Sequence, residues 1–254
     1  MVTNHIEKAW KAYRKNFWHI LCAVLLFFVI TTGLALIGLF PLLISFIGTF
    51  SLTALQSIIS NTALLSSLSF SNLIFALTFF ILALIIGMLI SASLVKMYAE
   101  ALKGKTSLST LFKTIKKKFR TILGANILVG LIMLCIFGLA FVPLPSMSAT
   151  NAFFILPLFI IGTVIAVLIS LLFKFTNQAI VIDNCLAIPA IKKSISVAKA
   201  NYIQLLALIV IFVAISILVG FIPYINFILN WLLISPIAEI SFTALYIAKR
   251  KKRK

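Results

Sequence analysis

Ser235, Glu239, Thr243 and Tyr246 recur at steps of 4, 4 and 3. On a helix this places two hydroxyls, a carboxylate and a phenol along one face. Glu239 is the only charged residue between positions 200 and 248. A carboxylate in so apolar a stretch can take a proton, a cation or a polar solute, or can bond a neighbouring helix as packing glue. At 1.5 Å per residue it lies about 15 Å from Lys249, near the mid-depth of a bilayer. Pro236 frees a backbone carbonyl one turn earlier. Asn230 falls roughly opposite the stripe, and Asn126 and Asn177 are partners that other helices could supply.

The remaining reactive side chains are few. Asp183 and the lysines around it form the only other ionisable set, and enzymatic work on lipids would need two or more such groups converging at one interface. No pair of carboxylates is available for acid and base roles. His5 and His19 are the only histidines, and Cys22, Cys135 and Cys185 show no disulfide or zinc spacing. No catalytic, cofactor-binding or metal-binding residue is predicted, and no cofactor.

The elements that must position these groups are membrane helices. Of the 254 residues 63% are apolar and only 10% charged, against about 25% charged in soluble domains. The mean hydropathy is +1.24. This excludes a water-soluble enzyme. The net charge of +18 would elsewhere suggest nucleic acid, but the 22 cations fall into four groups: Lys8–Lys15, Lys96–Arg120, Lys174–Lys199 and Lys249–Lys254. Collected on the cytoplasmic side, they make each intervening stretch cross an even number of times. The prediction is an all-α polytopic protein of one membrane domain, 1–254, with six transmembrane helices and both termini cytoplasmic. The helices fall near 18–40 and 72–95, 122–142 and 153–174, and 202–222 and 227–248. Residues 41–71 form an outer segment with room for an amphipathic or re-entrant helix, since 11 of the 21 residues in 51–71 are Ser, Thr, Asn or Gln, costly to bury in lipid. Pro143 and Pro145 mark one outer turn, Gly220 and Pro223 the other. The first apolar stretch is too long for a signal peptide and reads as a retained anchor.

Three lead-ins share one pattern. Ile6, Trp10, Tyr13 and Phe17, then Leu108, Phe112, Ile115 and Phe119, then Ile191, Ile195, Ala198 and Tyr202 all step by 4, 3 and 4. Between them lie Lys8, Lys11, Arg14 and Lys15, then Lys113, Lys116, Lys117 and Lys118, then Lys192, Lys193 and Lys199. Each is expected to form a basic amphipathic helix at the interface, its cations among anionic headgroups. These lysines and arginines apart from Lys199, with Lys249 and Arg250 of the basic tail 249–254, are the candidate anionic-lipid contacts. The units 3–95, 106–174 and 186–249 are then three parallel hairpin repeats. Mitochondrial carriers share that plan, but their charged signature is missing at Phe40, Val142 and Phe221.

The run from Asp183 to Ser194 has an acid after an aliphatic stretch, an Ala190-x-x-x-Ser194 step enclosing Lys192 and Lys193, and an aromatic residue opening the next helix. With the amphipathic lead-ins, this resembles uncharacterised six-helix membrane proteins of bacteria and archaea, including the membrane domain attached to some glycerophosphodiester phosphodiesterases. The resemblance implies a membrane module and carries over no catalytic residue. Locally, Asp183 or Asn184 can close a turn, and Pro189 suits a first helical turn.

The expected function is therefore a non-enzymatic module of a prokaryotic plasma membrane, a scaffold, envelope or lipid-associated protein. Its partners are anionic headgroups on the cytoplasmic face and no nucleic acid. The alternative is a small transporter or channel for a proton, cation or polar solute built on Glu239. A lipid-acting membrane enzyme ranks third.

Overall fold

The computed structural model describes residues 2–49, 70–141, 152–222 and 225–250. Among these every regular element is helical: α1 (Val2–Lys15), α2 (Phe17–Thr49), α3 (Phe70–Ala101), α4 (Leu108–Phe141) and α5 (Ala152–Ser170), then a 3-10 turn (Leu171–Phe173), α6 (Thr176–Asp183), α7 (Ala187–Ala200) and α8 (Tyr202–Gly220), and last α9 (Asn226–Leu229), a π turn (Asn230–Ile234) and α10 (Ser235–Arg250). Six stretches are long and apolar enough to cross a membrane: Phe17–Pro41, Ser71–Ala101, Leu108–Gly138, Phe159–Asp183, Tyr202–Gly220 and Asn226–Lys249. Their outward apolar side chains, such as Val29, Leu134, Ile203 and Leu218, stay exposed, as lipid rather than a protein core accepts them.

Several boundaries differ from the sequence reading. Helix α2 continues through Pro41 to Thr49, so the first part of the segment 41–71 is helical, while the stretch apolar enough to cross a membrane ends at Pro41. The rest of that segment up to residue 69, the turn at Pro143 and Pro145, Pro223 and the tail 251–254 lie outside the described residues. The second lead-in is not a separate helix, because Leu108–Phe141 runs unbroken. The residue before the last aromatic of each lead-in differs accordingly, although an amide bond to the carbonyl four residues back does not by itself break a helix, since Asn126 makes one to Ile122 at 2.8 Å within α4. Asn16 and Asn201 stand there in the first and third, each donating from its amide to the carbonyl four residues back, at 3.0 Å (Ala12) and 2.9 Å (Val197), and each ends its helix. Lys118 stands there in the second, a good helix former with no competing bond to the backbone.

The chain forms two compact units, Met1–Val24 with Ser91–Lys254, and Leu25–Ile90. In the smaller, α2 and α3 run side by side in opposite directions. Gly87 faces Phe27 and Thr31, and a Cβ built on Gly38 would stand 2.7 Å from Cβ of Phe79. In the larger, α1 packs along α10, α4 on α5, and α7 on α4, α6 and the 3-10 turn, while α8 packs on α10. Lead-in positions in the same register are buried in all three places: Ala9, Leu111 and Ser194; Ala12, Thr114 and Val197; Ile20, Ile122 and Leu205; Ala23, Ala125 and Leu208. The faces expected to meet acyl chains are therefore divided. Tyr13, Ile191 and Ala198 are buried in protein, whereas Trp10, Phe17, Phe112 and Phe119 are exposed.

The last span differs from the others. Of its most apolar window 56% is buried in protein, against 11–22% in the other five. Every residue from Ile240 to Tyr246 is buried. A stretch buried on every side is enclosed by other helices rather than by lipid, while Glu239, just before it, remains about one-third exposed.

Candidate functional site

The polar stripe predicted on α10 parts into separate contacts. Pro236 has no N–H to give the carbonyl of Leu232, and the ladder shifts to a π turn in which the Ser235 amide reaches the carbonyl of Asn230. The Tyr13 hydroxyl of α1 donates to that vacated Leu232 carbonyl at 2.6 Å. The π turn also rotates the register. Asn230, placed opposite the stripe by a 3.6-residue count, instead shares an open groove of about 550 Å³ with Ser235, Trp231 and Phe212. Glu239 does not line that groove.

Glu239 meets a cation. Lys174, which follows the 3-10 turn, places its ammonium 2.5 Å from the Glu239 carboxylate and 4.7 Å from the centre of the Phe242 ring. The sequence reading gave Glu239 no intramembrane cation, because Lys174 was grouped with the boundary lysines 65 positions away. The pair neutralises the carboxylate, and a carboxylate so held is a poor site for a second cation. Thr243 donates to the Glu239 backbone carbonyl at 2.8 Å. Asn126 and Asn177 bond each other at 3.1 Å.

Tyr246, the last member of the stripe, belongs to a second contact. Its hydroxyl donates to Asp183 Oδ2 at 2.5 Å, and Lys193 Nζ lies 2.5 Å from the same oxygen. The Asp183 side chain is only 3% exposed, so both bonds act with little screening. Local sequence sets this up. Asn184 takes the left-handed conformation (φ 57°) that ends α6, a role Asn tolerates, and Leu186 in extended conformation opens α7 with Pro189 in its first turn. Ser194, one position after Lys193, accepts from the Phe175 amide at 3.1 Å and donates to the Leu172 carbonyl at 2.7 Å. It repairs the backbone where the 3-10 turn gives way to α6. The motif from Asp183 to Ser194 thus fastens α6, α7 and α10 together.

An equivalent contact went unread in the sequence. Glu100, at the end of α3, accepts from Thr110 at 2.6 Å, and both stand 83 positions before Asp183 and Lys193. The shared ten-residue step from acid to partner was the available signal. Asn16 links the same loop to the first joint: its Oδ1 accepts from the Thr106 amide at 3.2 Å.

The candidate lipid contacts are differently disposed. Lys8, Lys11, Arg14, Lys15, Lys113, Lys116, Lys117 and Lys192 are exposed, Lys118 and Lys249 half-buried. Lys193 is held by Asp183, and Lys11 lies 2.6 Å from Glu7. The Arg250 side chain is outside the described residues. Burial, then Lys8, then Lys249, lower the pKa of His5. Among the described residues no three His, Cys, Asp or Glu side chains are grouped to hold a metal ion.

These contacts are ion pairs and backbone repairs, chemistry suited to joining helices. No curated protein and no solved structure matches the chain. A family model described as a domain of unknown function, DUF7847, matches residues 4–248. The six apolar spans fit a membrane protein, and by that near-complete match the chain belongs to the DUF7847 family.

Proposed function

We propose that the chain is a non-catalytic module of a prokaryotic plasma membrane, built as three parallel helical pairs with both termini cytoplasmic, which gathers anionic lipid headgroups on that face. One observation carries the reading: all four acids are engaged within the protein, Glu7 with Lys11, Glu100 with Thr110, Asp183 with Lys193 and Tyr246, and Glu239 with Lys174. The exposed lysines and arginines on α1 and at the start of α4 therefore face outward with little to offset them near the ends of apolar helices, where each cation contributes about 1 kcal/mol of attraction to an anionic surface. The common register of burial in the three lead-ins supports the repeat. The resemblance to the membrane domain of some glycerophosphodiester phosphodiesterases agrees with a lipid-associated module.

The test is lipid counting. Protein reconstituted in bilayers of mixed phosphatidylglycerol and phosphatidylethanolamine, extracted and analysed by mass spectrometry, is expected to retain phosphatidylglycerol in excess of its bulk fraction, with the excess falling as salt rises. Retention at the bulk ratio would sink the reading. Cysteines placed at 105 and 145 in a chain with its native cysteines replaced should react with an impermeant reagent from opposite sides.

A further inference from the structure

We infer that a cleft between α1, α10 and the turn after α3 seats the phosphate of one anionic phospholipid, an inference that rests on the headgroup reading above and narrows it to one place. The cleft encloses about 440 Å³ and lies wholly within the larger unit. Two cations line it from separate parts of the chain, Lys8 on α1 and Lys103 from the turn after α3, and His5, one helical turn before Lys8, adds an imidazole that can donate a hydrogen bond. No carboxylate lines it. The acid nearest in sequence, Glu7, is turned to Lys11 on the exposed side of α1. The rest of the wall is apolar, formed by Leu102 with Ala244 and Ile247 of α10.

A concave site with cations on one side and aliphatic carbons on the other fits an amphiphile. The cations meet a phosphate, and the Leu102–Ile247 wall meets glycerol and the first acyl carbons. A free phosphate ion would gain nothing from that wall, which is why a phospholipid is the better occupant. Lys105 and Lys199, as exposed as Lys8 and Lys103, do not line it.

The experiment titrates the full chain in neutral detergent with short-chain phosphatidylglycerol, short-chain phosphatidylcholine and inorganic phosphate, followed by calorimetry. Three proteins are compared: wild type, Lys8→Gln with Lys103→Gln, and Lys105→Gln with Lys199→Gln. Wild type is expected to bind phosphatidylglycerol saturably, one per chain, and the cleft variant to bind about tenfold or more weakly. The variant outside the cleft should keep wild-type affinity. Equal loss in both variants would overturn the cleft while leaving a general preference for anionic headgroups intact. Absence of any preference for phosphatidylglycerol over phosphatidylcholine would overturn both. Inorganic phosphate binding as tightly as the lipid would overturn the phospholipid as occupant. Lys8→Arg with Lys103→Arg should restore binding, which separates lost charge from lost folding, and failure to restore it in a folded variant would also count against the cleft.

Discussion

Tyr13 supplies to the Leu232 carbonyl the hydrogen bond that Pro236 withholds, so the two residues are coupled although they lie on different helices. Tyr13→Phe should cost about 1–2 kcal/mol, the usual penalty for stranding a buried polar group. In a Pro236→Ala background the restored amide can serve Leu232 and the cost should shrink. Unfolding in detergent micelles for the four proteins of this cycle measures it, and equal cost in both backgrounds would show that the bond is not shared in this way. The Lys174–Glu239 pair behaves differently, because each side chain is about one-third exposed and partly solvated. Glu239→Gln or Lys174→Met alone should destabilise by about 1–2 kcal/mol, and the two together by less than their sum, since an unpaired charge is worse than none. Proton flux in liposomes should be the same for Glu239→Gln as for wild type. A selective loss of flux in the variant would restore the transport reading.

At the level of elements, the spans were legible because nothing but length and apolarity defines them, and the cation groups bounded them. What escaped was whatever depends on pairing distant segments. Lys174 and Glu239 lie 65 positions apart, and no periodicity joins them. The enclosed half of α10 does leave a trace in sequence, since its span has a mean hydropathy of 1.6 against 2.3–3.0 in the other five and holds Ser241, Thr243 and Tyr246, but nothing in that composition names the helices that surround it. The unbroken α4 was readable in principle from Lys118, standing where Asn16 and Asn201 stand, but the 4, 3, 4 step hid it. Close packing of α2 on α3 makes Gly38 sensitive. A Cβ there meets backbone-proximal atoms of Phe79, so Gly38→Val should destabilise by about 1–3 kcal/mol. Gly130 has nothing within 4 Å of an added Cβ, and Gly130→Ala should stabilise by up to about 1 kcal/mol through helix propensity. Thermal midpoints of the two variants in one detergent decide the comparison.

On the scale of the whole molecule, charge makes stability depend on pH. Burial lowers the His5 pKa below 6.5, with Lys8 and Lys249 acting in the same direction, so the unfolded chain binds the proton more readily than the folded one. The fold is favoured above that value and loses stability as pH falls through it. The thermal midpoint should therefore drop more between pH 7.5 and 5.0 in wild type than in His5→Gln. Glu7, whose pKa its bond to Lys11 lowers from about 4.5, titrates below that window and does not obscure it. A wider consequence follows from α1 lying along α10, and from the enclosure of Ile240–Tyr246. The ribosome makes the first of these helices more than two hundred residues before the second. Until then Ala9, Ala12 and Tyr13 have no α10 surface to pack on, and Asp183 lacks its tyrosine. The larger unit can close only when the last helix arrives, so a chain stalled or clipped before Ser235 would present its open centre to the membrane's quality-control proteases.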